Sequence, residues 1–302
     1  YIRVPTFVGE AVKRFSWRYT NEPDASRAGR QEDWARGRVL GGSSSINGMM
    51  FVRGARSDFD RWAAKQIPGW SWEDVAPVFR DMESSDQPGA DRGHSGPLSV
   101  RTVRRPHSLT RAFLASAAAA GHTSNPDYNG ASQEGVSLAQ LSQRNGLRCS
   151  AADAFLKPIR NHPDLTIWTD CFVERLVFDG TRVTSAVVMR DGERQEISGA
   201  NFVLCGGSIG TPKLLLQSGV GDPEALRAIG IEPIVDAPEV GRNLMEHPLV
   251  RLVYQTKIAS NNFTGGWPQK VRLLSEFLLH REGMISSVFE GAGFLKSRPE
   301  LD

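Results

Sequence analysis

Apolar residues recur with a period of three to four along several stretches of the chain, and this spacing is typical of amphipathic helices. In the first stretch, Phe59 and Trp62 fall on one face of the predicted helix. Residues that favour helix ends flank another stretch, because Thr211 and Pro212 open it and Gly219 follows it. Three predicted helices cover residues 58–66, 108–120 and 211–218. Two more begin at Ser71 and at Asp222, and another runs from the cap at Ser150 to Pro158.

β-Branched and aromatic residues concentrate between residues 165 and 205, which predicts a block of strands. Asp179-Gly180 and Asp191-Gly192 mark tight turns within it. The last strand is followed by a glycine turn and a helix, the order that builds nucleotide-binding sheets. The predicted strands are 165–169, 172–178, 184–190 and 202–205, with a short one near 98–100. The sequence therefore predicts a mixed α/β fold.

Composition and charge narrow the classes of function. The 302 residues are 40% hydrophobic and 23% charged, the balance of a globular protein with one large domain or two ordinary ones. The net charge is only +2 and the arginines are scattered among acids, so no nucleic-acid partner is expected. No apolar run approaches the roughly 20 residues that a membrane-spanning helix needs.

The cysteines and histidines do not indicate a metal site or a disulfide framework. Cys149, Cys171 and Cys205 are widely spaced and odd in number. Cys171 and Cys205 fall within apolar, strand-like runs, where a buried and inert thiol is expected. The six histidines show no metal-ligand spacing, so no metal is predicted.

Residues 37–54, GRVLGGSSSINGMMFVRG, carry the strongest chemical signal in the chain. Two adjacent glycines and three serines let the backbone approach a bulky group and expose amide and hydroxyl donors, which suit a diphosphate. Met49, Met50 and Phe51 would supply an apolar platform for a flat ring. On composition alone, an ordinary surface loop that leads into a buried strand is the favoured interpretation.

Resemblance to a known family changes that interpretation. Residues 37–60 resemble the first signature of the glucose–methanol–choline (GMC) oxidoreductases, and residues 207–221, GSIGTPKLLLQSGVG, resemble the second. Residues 125–153, with DYNG, QEGV and NGLRCSAA, resemble the bacterial choline-dehydrogenase-like and alcohol-dehydrogenase branch. The resemblance implies an FAD-binding Rossmann-like domain, incomplete because its first βαβ strand is missing, and the start of an α+β substrate domain.

The resemblance also implies which residues lie along FAD. Residues expected near the ribityl diphosphate are Val39, Gly41, Gly42 and Ser43, and those expected to line the flavin ring are Asn47, Gly48, Met49 and Met50. Val173 is the candidate that holds adenine through its backbone N–H and C=O. Ile46 stands where some members carry a histidine bonded to the flavin, so non-covalent FAD is expected.

Other features of the family are not found in this sequence. The chain has no G-x-G-x-x-G, and the family's catalytic histidine, with its partner histidine or asparagine, is expected beyond Asp302. No catalytic residue is therefore assigned here. We expect an internal fragment, divided at residues 1–60 (flavin-contact segment), 61–164 (mostly helical), 165–248 (FAD-binding portion) and 249–302 (truncated substrate domain). Alone it should bind FAD weakly and turn over no alcohol.

The parent protein is expected to oxidise a small alcohol, choline-like or aliphatic, to an aldehyde or ketone. Hydride would pass to flavin N5, and electrons then to a quinone or other acceptor. A cytoplasmic enzyme is expected, with association to a membrane left open.

Two alternatives remain. Residues 206–210, GGSIG, also fit G-x-S-x-G, with Ser208 as a hydrolase nucleophile and Asp222 or Asp236, then His247, in the required order. The chain has no HGGG-type oxyanion segment, and a proline lies just inside the helix, which argue against this interpretation. His247 lies near a predicted turn and is more readily structural than catalytic. An inactive fragment is the second alternative.

Overall fold

The computed structural model describes residues 1–258, 260, 266–298 and 300, which form a mixed α/β fold, so the predicted fold class is confirmed. Contacts divide the chain into a large unit, Tyr1–Leu165 with Gln255–Asp302, and a small unit, Thr166–Tyr254. The division into four functional segments stays a prediction. None of the helices formed by the described residues is both long enough and apolar enough to cross a membrane.

The α-helices are α1 (Val8–Arg14), α2 (Arg56–Ala64), α3 (Trp72–Met82), α4 (Ser108–Ala119), α5 (Gly207–Gln217), α6 (Pro223–Ala228) and α7 (Trp267–His280). The strands are β1 (Ser16–Thr20), β2 (Asp33–Gly37), β3 (Glu83–Ser85), β4 (Leu98–Thr102), β5 (Gly135–Leu138), β6 (Gln140–Arg144), β7 (Leu147–Arg148), β8 (Cys171–Asp179), β9 (Arg182–Arg190), β10 (Glu193–Ser198), β11 (Val220–Gly221), β12 (Val235–Asp236) and β13 (Gly291–Phe294).

The large unit contains a hairpin and two small sheets. β1 pairs with β2, the order β3-β4-β6-β7 forms a four-stranded sheet, and β13 pairs with β5. Most of these strands were not predicted from the sequence, because each is at most five residues long and its alternating apolar residues, such as Trp17 and Tyr19 in β1, are too few to stand out. The segment after the glycine-serine run lies against β6, since Phe51 N donates to Gln140 O at 2.8 Å.

The sequence predicted several helix caps and a hairpin turn correctly. Ser71 caps α3, and its hydroxyl and Asp74 form the expected capping box. Asp222 caps α6 by accepting from Glu224 N and Ala225 N. Asp191 and Gly192 both have positive φ between β9 and β10, as a two-residue hairpin turn requires.

The structure differs from the sequence prediction at two strands and at one helix start, all between residues 165 and 211. β8, β9 and β10 form an antiparallel meander, but residues 165–169 and 202–205 form no strand among the described residues. A β-branched run becomes a strand only when a neighbouring backbone accepts and donates its hydrogen bonds. α5 begins at Gly207, four residues before the predicted cap at Thr211, so Pro212 lies inside it.

Exposure of the free cysteines also differs from the expectation. Cys149 is buried and Cys171 half-buried, but Cys205 is exposed. The prediction of a buried Cys205 is wrong because residues 202–205 do not enter a sheet.

A buried charged cluster lies within the large unit. The carboxylate of Glu83 accepts from Arg53 Nη2 at 2.7 Å and from Arg92 Nε at 2.7 Å, and all three side chains are at most 2% exposed. Arg92 also pairs with Asp127, and Gln140 Nε2 donates to the same Asp127 oxygen at 2.8 Å. Two arginines therefore face two carboxylates, and the cluster is neutral.

Burial makes this cluster sensitive to the loss of any one charge. Burial lowers the pKa of Arg53, an effect opposed by the nearby Glu83 carboxylate. A buried guanidinium without its counter-charge costs several kcal/mol, whereas an intact buried pair is close to neutral for stability. The cluster therefore fixes the positions of the segments that supply its members.

Glu83→Gln should destabilise the protein by about 3–5 kcal/mol, because one carboxylate would then serve two buried arginines. Urea unfolding followed by tryptophan fluorescence measures this, since Trp72 and five other tryptophans lie in the large unit. The matched control is Glu73→Gln, whose side chain is 83% exposed and pairs with Arg56. It should change the free energy of unfolding by no more than about 0.5 kcal/mol. Equal effects of the two changes would contradict the assignment.

Candidate functional site

The glycine-serine run forms a tight turn after β2, and we call residues 37–48 the glycine-serine turn. Gly41 and Gly42 have φ of 86° and 55°, which glycine adopts without strain. A Cβ built on Gly37 would lie 2.1 Å from the carbonyl carbon of Gly42, so the turn folds back onto the end of β2. Gly37 N donates to Ser43 Oγ at 3.0 Å and closes the turn.

The serine hydroxyls of this turn are used internally. Ser44 Oγ donates to Gly41 O at 2.6 Å and accepts from Ala151 N at 2.9 Å. Ser45 Oγ donates to Leu40 O at 2.8 Å, and the residue is buried. The expectation that the serines present their hydroxyls to a ligand is wrong for these two, because a tight turn leaves carbonyls that need donors. Ser43 is exposed, as expected.

Asn47 and Arg148 hold the far end of the turn. Asn47 Oδ1 accepts from Met49 N at 3.0 Å and from Arg148 Nη1 at 2.8 Å. Arg148 Nη1 also donates to Ser44 O at 3.0 Å, and Arg148 Nε donates to Ile2 O at 3.0 Å. Met49 is a non-glycine residue with φ of 65°, and the bond from Asn47 supports this uncommon conformation.

Arg148 was not singled out from the sequence. It stands within NGLRCSAA, and arginine side chains are usually exposed to solvent. Here it is 3% exposed, and burial lowers its pKa to about 10, with Asp153 opposing the shift. The resemblance of residues 125–153 to the GMC branch was the one signal that could have drawn attention to it.

The predicted apolar platform lies largely inside the protein. Met49 is 1% exposed and packs with Ala139 and Leu141, while Met50 lies against the same cluster. A Cβ on Gly48 would lie 2.3 Å from the ring of Phe289, so that side of Gly48 is filled by protein. Contact of these residues with a flavin ring stays a prediction.

Val173, the predicted adenine contact, lies in the small unit. It is 38% exposed on β8, the edge strand of the order β10-β9-β8. It pairs with Val188, and a register shift follows between Val173 and Arg175. An edge strand leaves one row of backbone N–H and C=O groups facing away from the sheet, which backbone recognition of a base requires. Its role stays a prediction.

A hydrolase triad is not formed. Ser208 lies in the first turn of α5, and the Asp222 carboxylate caps α6 and pairs with Arg242 at 2.7 Å. Within the part of the chain that the structure describes, no hydrogen bond joins Ser208 to Asp222, Asp236 or His247. Nor do the described residues contain three or more histidine, cysteine or acidic side chains grouped to hold a metal ion.

Comparison with known proteins gives a consistent result. Residues 25–249 match the family described as GMC oxidoreductase. An uncharacterized GMC-type oxidoreductase of Mycobacterium bovis is 38% identical over 309 residues, covering 100% of this chain and 58% of the relative. The oxygen-dependent choline dehydrogenase of Staphylococcus xylosus is 35% identical over 296 residues, covering 96% of this chain and 53% of the relative. The chain thus spans little more than half the length of these proteins.

Solved structures show the same likeness. Pyridoxine 4-oxidase from Mesorbium loti is 34% identical with a TM-score of 0.75, over 79% of this chain and 48% of that protein. Formate oxidase of Aspergillus oryzae reaches a TM-score of 0.83 over 98% of this chain and 54% of that protein. At 24% identity the formate oxidase supports the fold alone.

Gly37→Ala should destabilise the protein by about 1–3 kcal/mol or more, because the new methyl would overlap the backbone of Gly42. Thermal unfolding measures the loss. Gly9→Ala is the control, since a Cβ there meets nothing within 4 Å and lies in α1, where alanine is the better helix former. A Gly37→Ala protein as stable as the control would show that the turn does not close as described.

Proposed function

The chain belongs to the GMC oxidoreductase family, a family of FAD-binding flavoproteins, and on this premise we propose that it is part of an enzyme that oxidises an alcohol. The carbinol carbon would become an aldehyde or ketone carbon. The observation that carries the proposal is the glycine-serine turn, which is held by protein on one side and open on the other. A Cβ on Gly41 would meet Ser45 and Ala152, whereas a Cβ on Gly42 would meet no atom within 4 Å.

This open side fits the diphosphate of a dinucleotide. Gly41 and Gly42 bring no side chain, and Ser43 is exposed, so a ligand can approach the backbone closely. Backbone N–H groups in a turn with left-handed residues form a concave surface that favours anions. Val39, Gly41, Gly42 and Ser43 are therefore the residues proposed to hold the diphosphate.

The end of the turn is proposed to face the flavin ring. Asn47 is fixed by Arg148, which orders the backbone of Gly48, Met49 and Met50 before any ligand binds. Order in the free protein lowers the entropy lost on binding. Ile46 is a buried hydrocarbon side chain with no atom able to bond to flavin, so the proposed FAD is non-covalent.

If FAD is held by residues 39–50, it would supply a hydride acceptor for oxidation of the carbon that carries the hydroxyl group. The residues of this chain would hold and orient the cofactor, and none of them is assigned as the base that takes the hydroxyl proton. Relatives named choline dehydrogenase and pyridoxine 4-oxidase support an alcohol as the substrate. The proposed substrate is a small alcohol, choline-like or aliphatic. The electron acceptor is proposed to be a quinone or another small molecule. A cytoplasmic location is proposed.

Gly42→Ala should weaken FAD binding by about tenfold, because the methyl would fill the open side of the turn. Quenching of flavin fluorescence on titration measures the dissociation constant. Gly29→Ala is a matched control, since Gly29 also has positive φ, 72°, and also meets nothing within 4 Å. Both changes should cost about 1–2 kcal/mol of stability through backbone strain. Equal FAD affinity in the two variants would exclude Gly42 as a contact.

In the native protein that contains this sequence, the bound flavin should be reduced by the alcohol substrate. Under anaerobic conditions, choline or a primary aliphatic alcohol should bleach the absorbance of the oxidised flavin, while the matching aldehyde should not. The absorbance is followed after rapid mixing. A protein that binds FAD but is reduced by neither kind of alcohol would contradict the proposed reaction and leave the cofactor assignment standing.

A further inference from the structure

Arg148 joins three separate segments of the large unit at the end of β7. Its backbone N–H donates to Arg3 O at 2.9 Å, and its Nε donates to Ile2 O at 3.0 Å, so the N-terminal residues lie against this strand. Its Nη1 donates to Ser44 O at 3.0 Å and to Asn47 Oδ1 at 2.8 Å in the glycine-serine turn. One residue therefore holds β7, the N-terminal residues and the turn together.

The neighbouring strand holds the same part of the turn. Ser142 of β6 donates to Met49 O through both its backbone N–H, at 2.8 Å, and its hydroxyl, at 3.2 Å. Cys149 N, next to Arg148, donates to Ser142 O at 2.9 Å and links the two strands. Residues 47–49 are thus held from both strands of one hairpin.

Asn47 transmits this restraint to the backbone. Its Oδ1 accepts from Met49 N at 3.0 Å as well as from Arg148, which uses both lone pairs of one oxygen. Met49 has φ of 65°, a conformation that a residue with a side chain adopts only at a cost. If the Asn47 side chain were free to rotate, the bond to Met49 N would be lost, and residues 48–50 would sample other conformations.

Burying the guanidinium of Arg148 costs free energy. Burial lowers the pKa of Arg148 to about 10, with Asp153 opposing the shift, so the side chain is still charged at neutral pH. Its side-chain bonds go to neutral oxygens, and its buried Nη2 has no hydrogen-bond partner among the described residues. A charge buried in this way contributes little net stability, and proteins keep such costs mainly at functional sites. What Arg148 contributes is therefore the position of the groups that it bonds.

We propose that Arg148 is the positioning residue of the cofactor site and that it acts through Asn47. The inference rests on the proposed function, in which residues 39–50 hold FAD. Arg148 itself touches no ligand, because its Nε and Nη1 are bonded to protein oxygens and its Nη2 is enclosed. It fixes the Asn47 side chain, and through it the backbone of residues 48–50, in the conformation that receives the flavin, so less entropy is lost on binding.

Lysine cannot take over this role. The guanidinium directs Nε and Nη1 to acceptors in two segments at once, those of Ile2 and Asn47, whereas an ammonium group is a single point on a flexible stem. Arg148→Lys therefore keeps the charge and removes the geometry, which makes it the sharpest test of a positioning role.

FAD is titrated into the flavin-free form of the native protein that contains this sequence, and quenching of flavin fluorescence gives the dissociation constant. Arg148→Lys should weaken FAD binding by about tenfold. The matched control is Arg92→Lys, because Arg92 is also 3% exposed and its side chain bonds Glu83, Asp127 and Gln140 rather than the glycine-serine turn. Both variants should unfold at a lower temperature, but Arg92→Lys should change the FAD affinity by less than about twofold.

Two further measurements separate positioning from a general loss of stability. In the Asn47→Ala background, Arg148→Lys should weaken FAD binding by less than about twofold more, because the residue through which it acts is already gone. The visible circular dichroism of the bound flavin, at saturating FAD, should change in Arg148→Lys and stay unchanged in Arg92→Lys. If Arg148→Lys does not fold, Asn47→Ala alone, at an exposed residue, tests the same step and should weaken binding by a similar factor.

Three outcomes would each overturn the inference while FAD still binds to the unaltered protein, which would leave the proposed function standing. They are an unchanged FAD affinity in Arg148→Lys, equal losses in Arg148→Lys and Arg92→Lys, and a loss that is fully additive with that of Asn47→Ala. Failure of the unaltered native protein to bind FAD would instead contradict the cofactor assignment, and the inference with it.

Discussion

The buried carboxylate of Glu83 constrains several separate segments of the large unit at once. Glu83 begins β3, and the two arginines that neutralise it come from different parts of the chain, Arg53 after the glycine-serine turn and Arg92 in the loop before β4. A buried ion pair contributes little net stability compared with an apolar core, but it tolerates little displacement of its members. Its main effect is therefore on position. The segments that carry these residues can pack only where the charges meet.

The same constraint acts on the residues that follow the glycine-serine turn, and Arg148 acts on the turn itself. Residues 50–53 lie against β6 and the 127–130 loop, through the bonds from Phe51 N to Gln140 O and from Arg53 N to Asn129 Oδ1. Within the turn itself, Arg148 holds Ser44 and Asn47. Polar contacts with distant segments thus fix the second half of the turn and the residues that follow it. Its glycines can then remain free of side-chain contacts on the open face without the turn losing its shape.

How far the sequence predicts this structure depends on the range of the interactions. Capping residues and hairpin turns, such as Ser71, Asp222 and Asp191-Gly192, were predicted well because their partners lie within three residues. The prediction of a strand at residues 202–205 was wrong, because a strand forms only with a pairing partner, which no local sequence pattern specifies. The contact between Arg148 and Asn47 spans 101 positions, and the pair Arg53–Glu83 spans 30. Neither was visible in composition or spacing.

The family signature itself combines two kinds of constraint that the sequence does not distinguish. Gly37 is required by protein atoms alone, since a Cβ there would overlap the Gly42 backbone. A Cβ on Gly48 would meet only the ring of Phe289, a side chain that is 47% exposed and can move. The structure therefore explains Gly37 without a ligand. Gly42 differs, because the space beside it is open and no contact within the protein demands the absence of a side chain beyond its positive φ. The family resemblance does not distinguish between these glycines. Their packing does, because Gly42 is the one of the three at which an added side chain would meet open space, where a ligand could lie.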